Sequence, residues 1–185
     1  MNANDVLIDL LRDNQRRLHR VLEPMQAECL YWTPDPDANC IAITVWHMGR
    51  LLDVFLTRQA QGKDAAEEVW LSRGWAGRTG HDPRGIGRGG WGSVNDYTRD
   101  EVAAIPRPSR EQLLGYYDEV VDAASAFLSE TSADRLLQAG VGLEGKYTEY
   151  QLIQMALMDN VRHLGETLAL KAMWERKTGH ADAQI

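Results

Sequence analysis

Two stretches of this chain hold the side chains that can do chemistry. In the later one, Asp159, His163 and Glu166 stand three and four residues apart within Asp159-Asn160-Val161-Arg162-His163-Leu164-Gly165-Glu166. On a helix that spacing puts all three on one face. The apolar residues Leu152, Met155, Ala156, Leu170, Met173 and Trp174 recur along the same stripe. An ionised carboxylate on a core-facing stripe is costly unless it is paired or coordinates a metal. Taken alone, Asp159 and His163 fit a buried Asp–His pair as well as a metal site. The earlier stretch shifts that balance. His47 lies in the middle of Cys40, Ile43, Thr44, Leu51, Val54 and Phe55, again an inward apolar face. A lone histidine there is more often a hydrogen-bonded core residue than a ligand. Two inward histidines, with a carboxylate one turn from the second, point to a shared site.

The elements that must position these residues read as four long helices. The first spans about 4–22, with Leu7, Leu10, Leu11, Leu18, Val21 and Leu22 on one face and Asn2 or Asn4 as its cap. Thr33-Pro34-Asp35-Pro36-Asp37 breaks the connection that follows, although Leu30, Tyr31 and Trp32 predict that it packs on the bundle. The second helix runs over about 39–61, capped by Asn39 and ended by Gly62. Thr98-x-x-Glu101, Ser109-x-x-Gln112 and Thr148-x-x-Gln151 are capping boxes. They open a short helix, the third long helix (about 110–129) and the fourth (about 148–177). The third turns Leu113, Tyr117, Val120, Val121, Ala124, Phe127 and Leu128 inward, and Lys177-Thr178-Gly179 stops the fourth. The pattern predicts an all-α, antiparallel four-helix bundle with long connections.

Between the second and third helices, an irregular insertion covers about 63–97, opening with a helical turn at 65–71 and then turning glycine-rich. Gly85-x-Gly87-x-x-Gly90 matches the dinucleotide fingerprint in form only, since no apolar strand precedes it. Arg73, Arg78, Arg84 and Arg88 make this loop locally basic and able to recognise a carboxylate. The link from Glu130 to Tyr147 carries Gly140, Gly142 and Gly145 and one or two extended residues.

Composition sets the outer limits. With 185 residues, 44% of them hydrophobic, the chain can bury a real core and is expected to form one domain, 1–185. A formal charge of −7 and a pI near 5.2 argue against nucleic-acid or anionic-membrane partners. No transmembrane run and no signal-peptide core stand in the sequence, which predicts a cytoplasmic protein. The two cysteines, Cys29 and Cys40, form no disulfide framework and read as reduced packing residues. Cys40, near a helix start, has a reason for a lowered pKa.

Several segments together carry a family resemblance. Ala38-Asn39-Cys40-Ile41 through Val45-Trp46-His47-Met48, then Val69-Trp70-Leu71 with Gly74-Trp75, Leu114-Gly115-Tyr116-Tyr117 and 159–166 resemble the DinB-like superfamily in order and across most of the chain. The likeness is closest to the actinobacterial branch related to mycothiol-dependent maleylpyruvate isomerase and mycothiol S-transferases. It implies a four-helix bundle with a divalent metal, commonly zinc or nickel, held by one histidine of the second helix and a pair four apart on the fourth. These carry over to His47 and to Asp159 with His163. Many relatives have histidine where Asp159 stands, and the isomerase branch is similar in placing a carboxylate there. Two imidazoles and a carboxylate, with open positions for water and substrate, make a catalytic ligand set.

The resemblance further implies a thiol-dependent S-transferase or isomerase acting on a small-molecule thiol, mycothiol or another, and an electrophilic substrate. Glu166 would support His163 or act as a base, and Trp46, Trp75, Arg73 and Arg78 would shape the substrate pocket. A homodimer is expected. The alternatives are a non-enzymatic, metal-stabilised stress or binding bundle and a metal-dependent hydrolase.

Overall fold

The computed structural model describes residues 3–179. Among them the chain is helical, with no strand beyond an isolated bridge between Val141 and Tyr147. Helix α1 (Ala3–Leu22) leads through the short α2 (Ala27–Tyr31) to α3 (Ile41–Val54), which a π-helical segment, Phe55–Ala60, continues. The insertion holds α4 (Val69–Ser72) and α5 (Trp75–Thr79), and α6 (Arg99–Ala103) precedes α7 (Arg110–Glu130). Helix α8 (Ala133–Leu136) then leads to α9 (Glu149–Thr178). The long helices α1, α3, α7 and α9 correspond to the four expected from the sequence.

Local chemistry sets most of the ends. The capping boxes at Thr98, Ser109 and Thr148 all form, and Gly179 closes α9 in the left-handed conformation at φ 77°. Two expected caps do not form. Asn4 lies inside α1, and its amide instead donates to the carbonyls of Leu128 and Thr131 at 2.7 and 2.6 Å. Asn2 lies outside the described residues. Asn39 stands one residue too early, because the first α3 bond runs from the Thr44 amide to the Cys40 carbonyl.

Helix α1 packs on α7 and α9, and α3 packs on α7 and α9, so each helix has two neighbours around one core. Asn4 near Leu128, Arg12 at Asp122 and Arg110 at Glu23 run in opposite order, which makes α1 and α7 antiparallel. At their centre the buried Tyr117 hydroxyl accepts from Asn14 of α1 at 2.9 Å and from Asn160 of α9 at 3.1 Å. Gly49 brings α3 close to α7, since a Cβ there would sit 2.7 Å from the Tyr116 ring. The connection after α1 packs as expected, with Leu30 buried, the Tyr31 hydroxyl on the Pro108 carbonyl and Lys177 over the Trp32 ring.

The sequence predicts one inward face for the second helix. Instead every residue of α3 from Ile41 to Val54 is buried. The reason is the insertion, which wraps the side that the other helices leave open. Trp46 packs edge-on against Trp70 and His81 of that insertion, at 5.7 and 5.4 Å between ring centres.

Candidate metal centre

His47 stands in the middle of α3, and Asp159 and His163 stand one turn apart on α9. Packing of α3 on α9 brings the three together. His47 Nε2 lies 3.1 Å and His163 Nε2 3.4 Å from the same oxygen, Asp159 Oδ2. The two imidazole rings are 4.7 Å apart and nearly perpendicular. One ligand atom from each of the three residues falls within 4.8 Å of the others. Side-chain exposure rises from 9% at His47 to 13% at Asp159 and 27% at His163, so the cluster opens outward along α9.

The far nitrogen of each ring is already engaged. His47 Nδ1 donates to the Ser93 backbone carbonyl, and His163 Nδ1 lies 2.7 Å from Glu166 Oε2. A carbonyl only accepts, so the Nδ1 hydrogen is assigned and the lone pair of a neutral His47 ring sits on Nε2. That lone pair faces a carboxylate oxygen. Two states relieve the repulsion: a protonated ring, or a cation shared by all three donors. Burial alone would raise the Asp159 carboxyl, but hydrogen bonds from His163 and Arg162, joined by His47 when its Nε2 carries a proton, overcome it and hold it far below the usual carboxylate range. The bond to Asp159 raises His163 above its ordinary value, against burial and with help from Glu166.

The donor set fits a divalent metal. Two donors about 2.1 Å from one ion, at octahedral to tetrahedral angles, stand roughly 3.0–3.4 Å apart, and the 3.1 and 3.4 Å from the two imidazoles to Asp159 fall at that spacing. Each histidine also has the acceptor behind it that metal-bound imidazoles use to fix their orientation. His47, Asp159 and His163 would therefore hold the ion, with Ser93 and Glu166 supporting the rings.

Asp159 also lines a surface groove of about 520 Å³. Leu51, Phe55, Trp91, Met155 and Met158 give it an apolar wall, with Arg88 and Arg162 among its polar lining residues. Trp91 stands edge-on to Phe55 at 5.8 Å.

The four residues assigned to substrate binding from the sequence lie elsewhere. Trp46 neighbours His47 in the chain but turns into the core against Trp70 and His81. Trp75 donates to Glu119 of α7 at 3.0 Å, and Arg73 pairs with the same carboxylate at 3.6 Å. Arg78 covers the Trp75 ring and donates to the Arg73 carbonyl. These three gather around Glu119, and none of the four lines the groove at Asp159. The other two loop arginines are paired as well, Arg84 with Asp82 and Arg88 with Asp96. Cys29 and Cys40 are free and buried, and burial pushes the Cys29 thiol up to about 11.

Sequence reasoning missed Ser93, Trp91 and the buried Arg50. One signal was present for Arg50. Apart from His47, it and Asp53 are the sole acidic or basic residues between Asp37 and Arg58, three apart in a largely apolar run. A charged pair in such a run marks a helix whose outer side is also covered.

The comparisons with known proteins agree with this architecture. A crystal structure titled as the conserved protein of locus from Enterococcus faecalis is similar over 93% of this chain and 96% of its own, with a TM-score of 0.74 at 18% identity. At that identity the likeness concerns the fold. No curated protein matches the chain. The family model of the DinB superfamily matches residues 10–167, from within α1 through the Asp159–His163 turn of α9, and the chain belongs to that superfamily.

Proposed function

We propose that His47, Asp159 and His163 bind a divalent cation, zinc or nickel. The protein would then act as a thiol-dependent S-transferase or isomerase of the mycothiol-related branch. It would join a low-molecular-weight thiol, mycothiol or a similar one, to an electrophilic substrate, or add that thiol to the substrate and release it again after the substrate has rearranged. The metal reading is carried by one observation: both Nε2 atoms face Asp159 Oδ2 while both Nδ1 atoms are held by acceptors. A divalent ion in this place supplies a Lewis acid that keeps a coordinating thiol deprotonated at neutral pH. The chain's own residues do the rest. Phe55, Trp91 and Met158 bind the apolar body of the electrophile and displace water from the groove. Arg162, which also bonds Asp159, gives the groove a cationic group for an anionic substituent. Glu166 holds the His163 ring by Nδ1 and is the neighbouring carboxylate able to take up a proton.

The same reading includes a homodimer in the cytoplasm, where a thiol cofactor stays reduced, and no nucleic-acid or membrane partner. Among the described residues no helix is long and apolar enough to cross a membrane. The test supplies zinc-loaded protein with a low-molecular-weight thiol and a chromogenic electrophile, and follows the loss of free thiol. The expected result is thiol consumption that chelator abolishes and Asp159→Asn lowers at least tenfold. Zinc binding with neither thiol consumption nor thiol-dependent isomerisation of the electrophile would overturn the assignment in favour of a metal-stabilised binding bundle. Thiol-independent ester or amide cleavage would replace it with a hydrolase.

A further inference from the structure

Four consecutive backbone carbonyls of the insertion are each held by a side chain from α3 and its π-helical continuation. Arg58 reaches the Gly90 carbonyl at 3.4 Å, and Arg50 reaches those of Trp91 and Gly92 at 2.9 and 3.1 Å. His47 takes the fourth, that of Ser93. Arg50 is fully buried. Its guanidinium is aimed by Glu68 at 2.7 Å and by Asp53 at 3.4 Å. Asp53 in turn accepts from the Val69 and Trp70 amides and the Tyr116 hydroxyl, each at 2.9 Å. Arginine stays charged and offers five N–H donors in one rigid plane, enough to hold both carbonyls and both carboxylates at once. A buried ion network is costly to desolvate and by itself is weak evidence for stability.

The segment it grips cannot relax freely. Gly92 has φ +63°, and a Cβ there would lie 2.3 Å from the Pro83 carbonyl oxygen. The chain leaves Ser93 through Val94 at φ 73°, a left-handed conformation that is unusual for a β-branched residue. Such a backbone persists where surrounding contacts over-determine it. Here those contacts include Arg50.

We infer that the Arg50 clamp is a positioning device for the metal centre. By holding the Trp91 and Gly92 carbonyls it presents the Ser93 carbonyl to His47 Nδ1, leaving Nε2 to face Asp159. The same grip holds Trp91 beside Phe55 as one wall of the groove. This inference rests on the metal assignment proposed above. Arg50 acts through His47 and Trp91, and its own side chain is enclosed by the Asp53–Glu68 network.

The experiment titrates cobalt(II) into the full-length apo protein, reading affinity from calorimetry and the visible ligand-field bands, with circular dichroism to check the fold. Arg50→Lys keeps the charge and loses the fork. Gly92→Ala shifts the gripped segment without touching the buried charges. Leu128→Ala removes fully buried core packing at the opposite end of α7 from Tyr116 and serves as the control for general destabilisation. Loss of an outer partner of a ligand typically weakens metal binding roughly tenfold to a hundredfold. The expected result is a fall of at least tenfold for Arg50→Lys and Gly92→Ala, with shifted cobalt bands, while Leu128→Ala binds like the parent. Should Arg50→Lys fail to fold, Gly92→Ala decides. Parent-like affinity in the folded clamp variants overturns the positioning role and leaves the metal centre standing, as does equal weakening in Leu128→Ala. A parent that binds no cobalt overturns the metal assignment, and the clamp with it.

Discussion

At the scale of single residues, Asp159 decides between a metal ligand and a buried partner of two histidines. If it is a ligand, Asp159→Asn keeps the size and removes the anionic donor, so zinc affinity falls. At a zinc concentration a hundredfold above Kd, binding stabilises the parent by about 2.7 kcal/mol. For a chain of this length that is roughly 5–10 °C in Tm. Thermal unfolding with chelator and with zinc should show that rise in the parent, a much smaller one in Asp159→Asn, and a retained one in Asp159→His. Equal zinc stabilisation in the parent and Asp159→Asn would remove Asp159 from the ligands. His47, Asp159 and His163 were legible in the sequence because helical spacing is enough to place them on inward faces. Ser93 was not, because it contributes a backbone carbonyl, and every residue type carries one. The groove residues were likewise hidden. Trp91 and Asp159 are distant in sequence, and nothing in spacing says which loop aromatic returns to α3.

At the scale of elements, the pairing of α1 with α7 is held by polar ties across an apolar seam. Tyr117 is the innermost of them: burial pushes its hydroxyl up to about 12, against the pull of Asn14 and Asn160. Tyr117→Phe would leave two buried amide groups without this acceptor. Its expected cost is about 1–3 kcal/mol, read from the urea midpoint at unchanged m-value. Farther out on the same seam, His19 lies 2.8 Å from Asp118 and 3.1 Å from Glu23. Burial opposes its charge, but these two hydrogen bonds win and raise its pKa above the ordinary 6.5. The folded chain therefore binds this proton more tightly than the unfolded one. The resulting stabilisation is complete below the unfolded value and is lost as pH rises through the folded one. His19→Gln should flatten the decline of Tm from about pH 6 to pH 8, and an unchanged slope would show that the tie contributes nothing. The long helices and their capping boxes were readable because both signals are local. The all-round burial of α3 was not, since it depends on where the insertion returns. The exposure of Leu10 and Met173 departs from the same periodic reading, which marks a stripe but not where a neighbouring helix stops covering it.

At the scale of the whole molecule, the surface of α9 bears on the proposed dimer. Met158, Val161 and Leu168 are exposed along one side of that helix, and Gly165 stands between them with open space over its Cα. A glycine in an apolar stripe allows another backbone to come close, which favours a helix from a second copy. A formal charge of −7 works against association through polar surface, so an apolar stripe is the better place for two acidic copies to meet. Met158 belongs to both the stripe and the groove wall, and a second copy seated there would border the groove beside Asp159. Light scattering at micromolar concentration is expected to give twice the 20.8 kDa mass of the chain. The double substitution Val161→Glu with Leu168→Glu should return it to a single copy. Both side chains face solvent, so Tm at low concentration should change little, and the proposed thiol chemistry of the groove should persist at reduced rate if the partner encloses it. A parent that scatters as a monomer would remove the dimer. A dimer that survives both glutamates would move the interface to another face and leave Met158 to the groove alone.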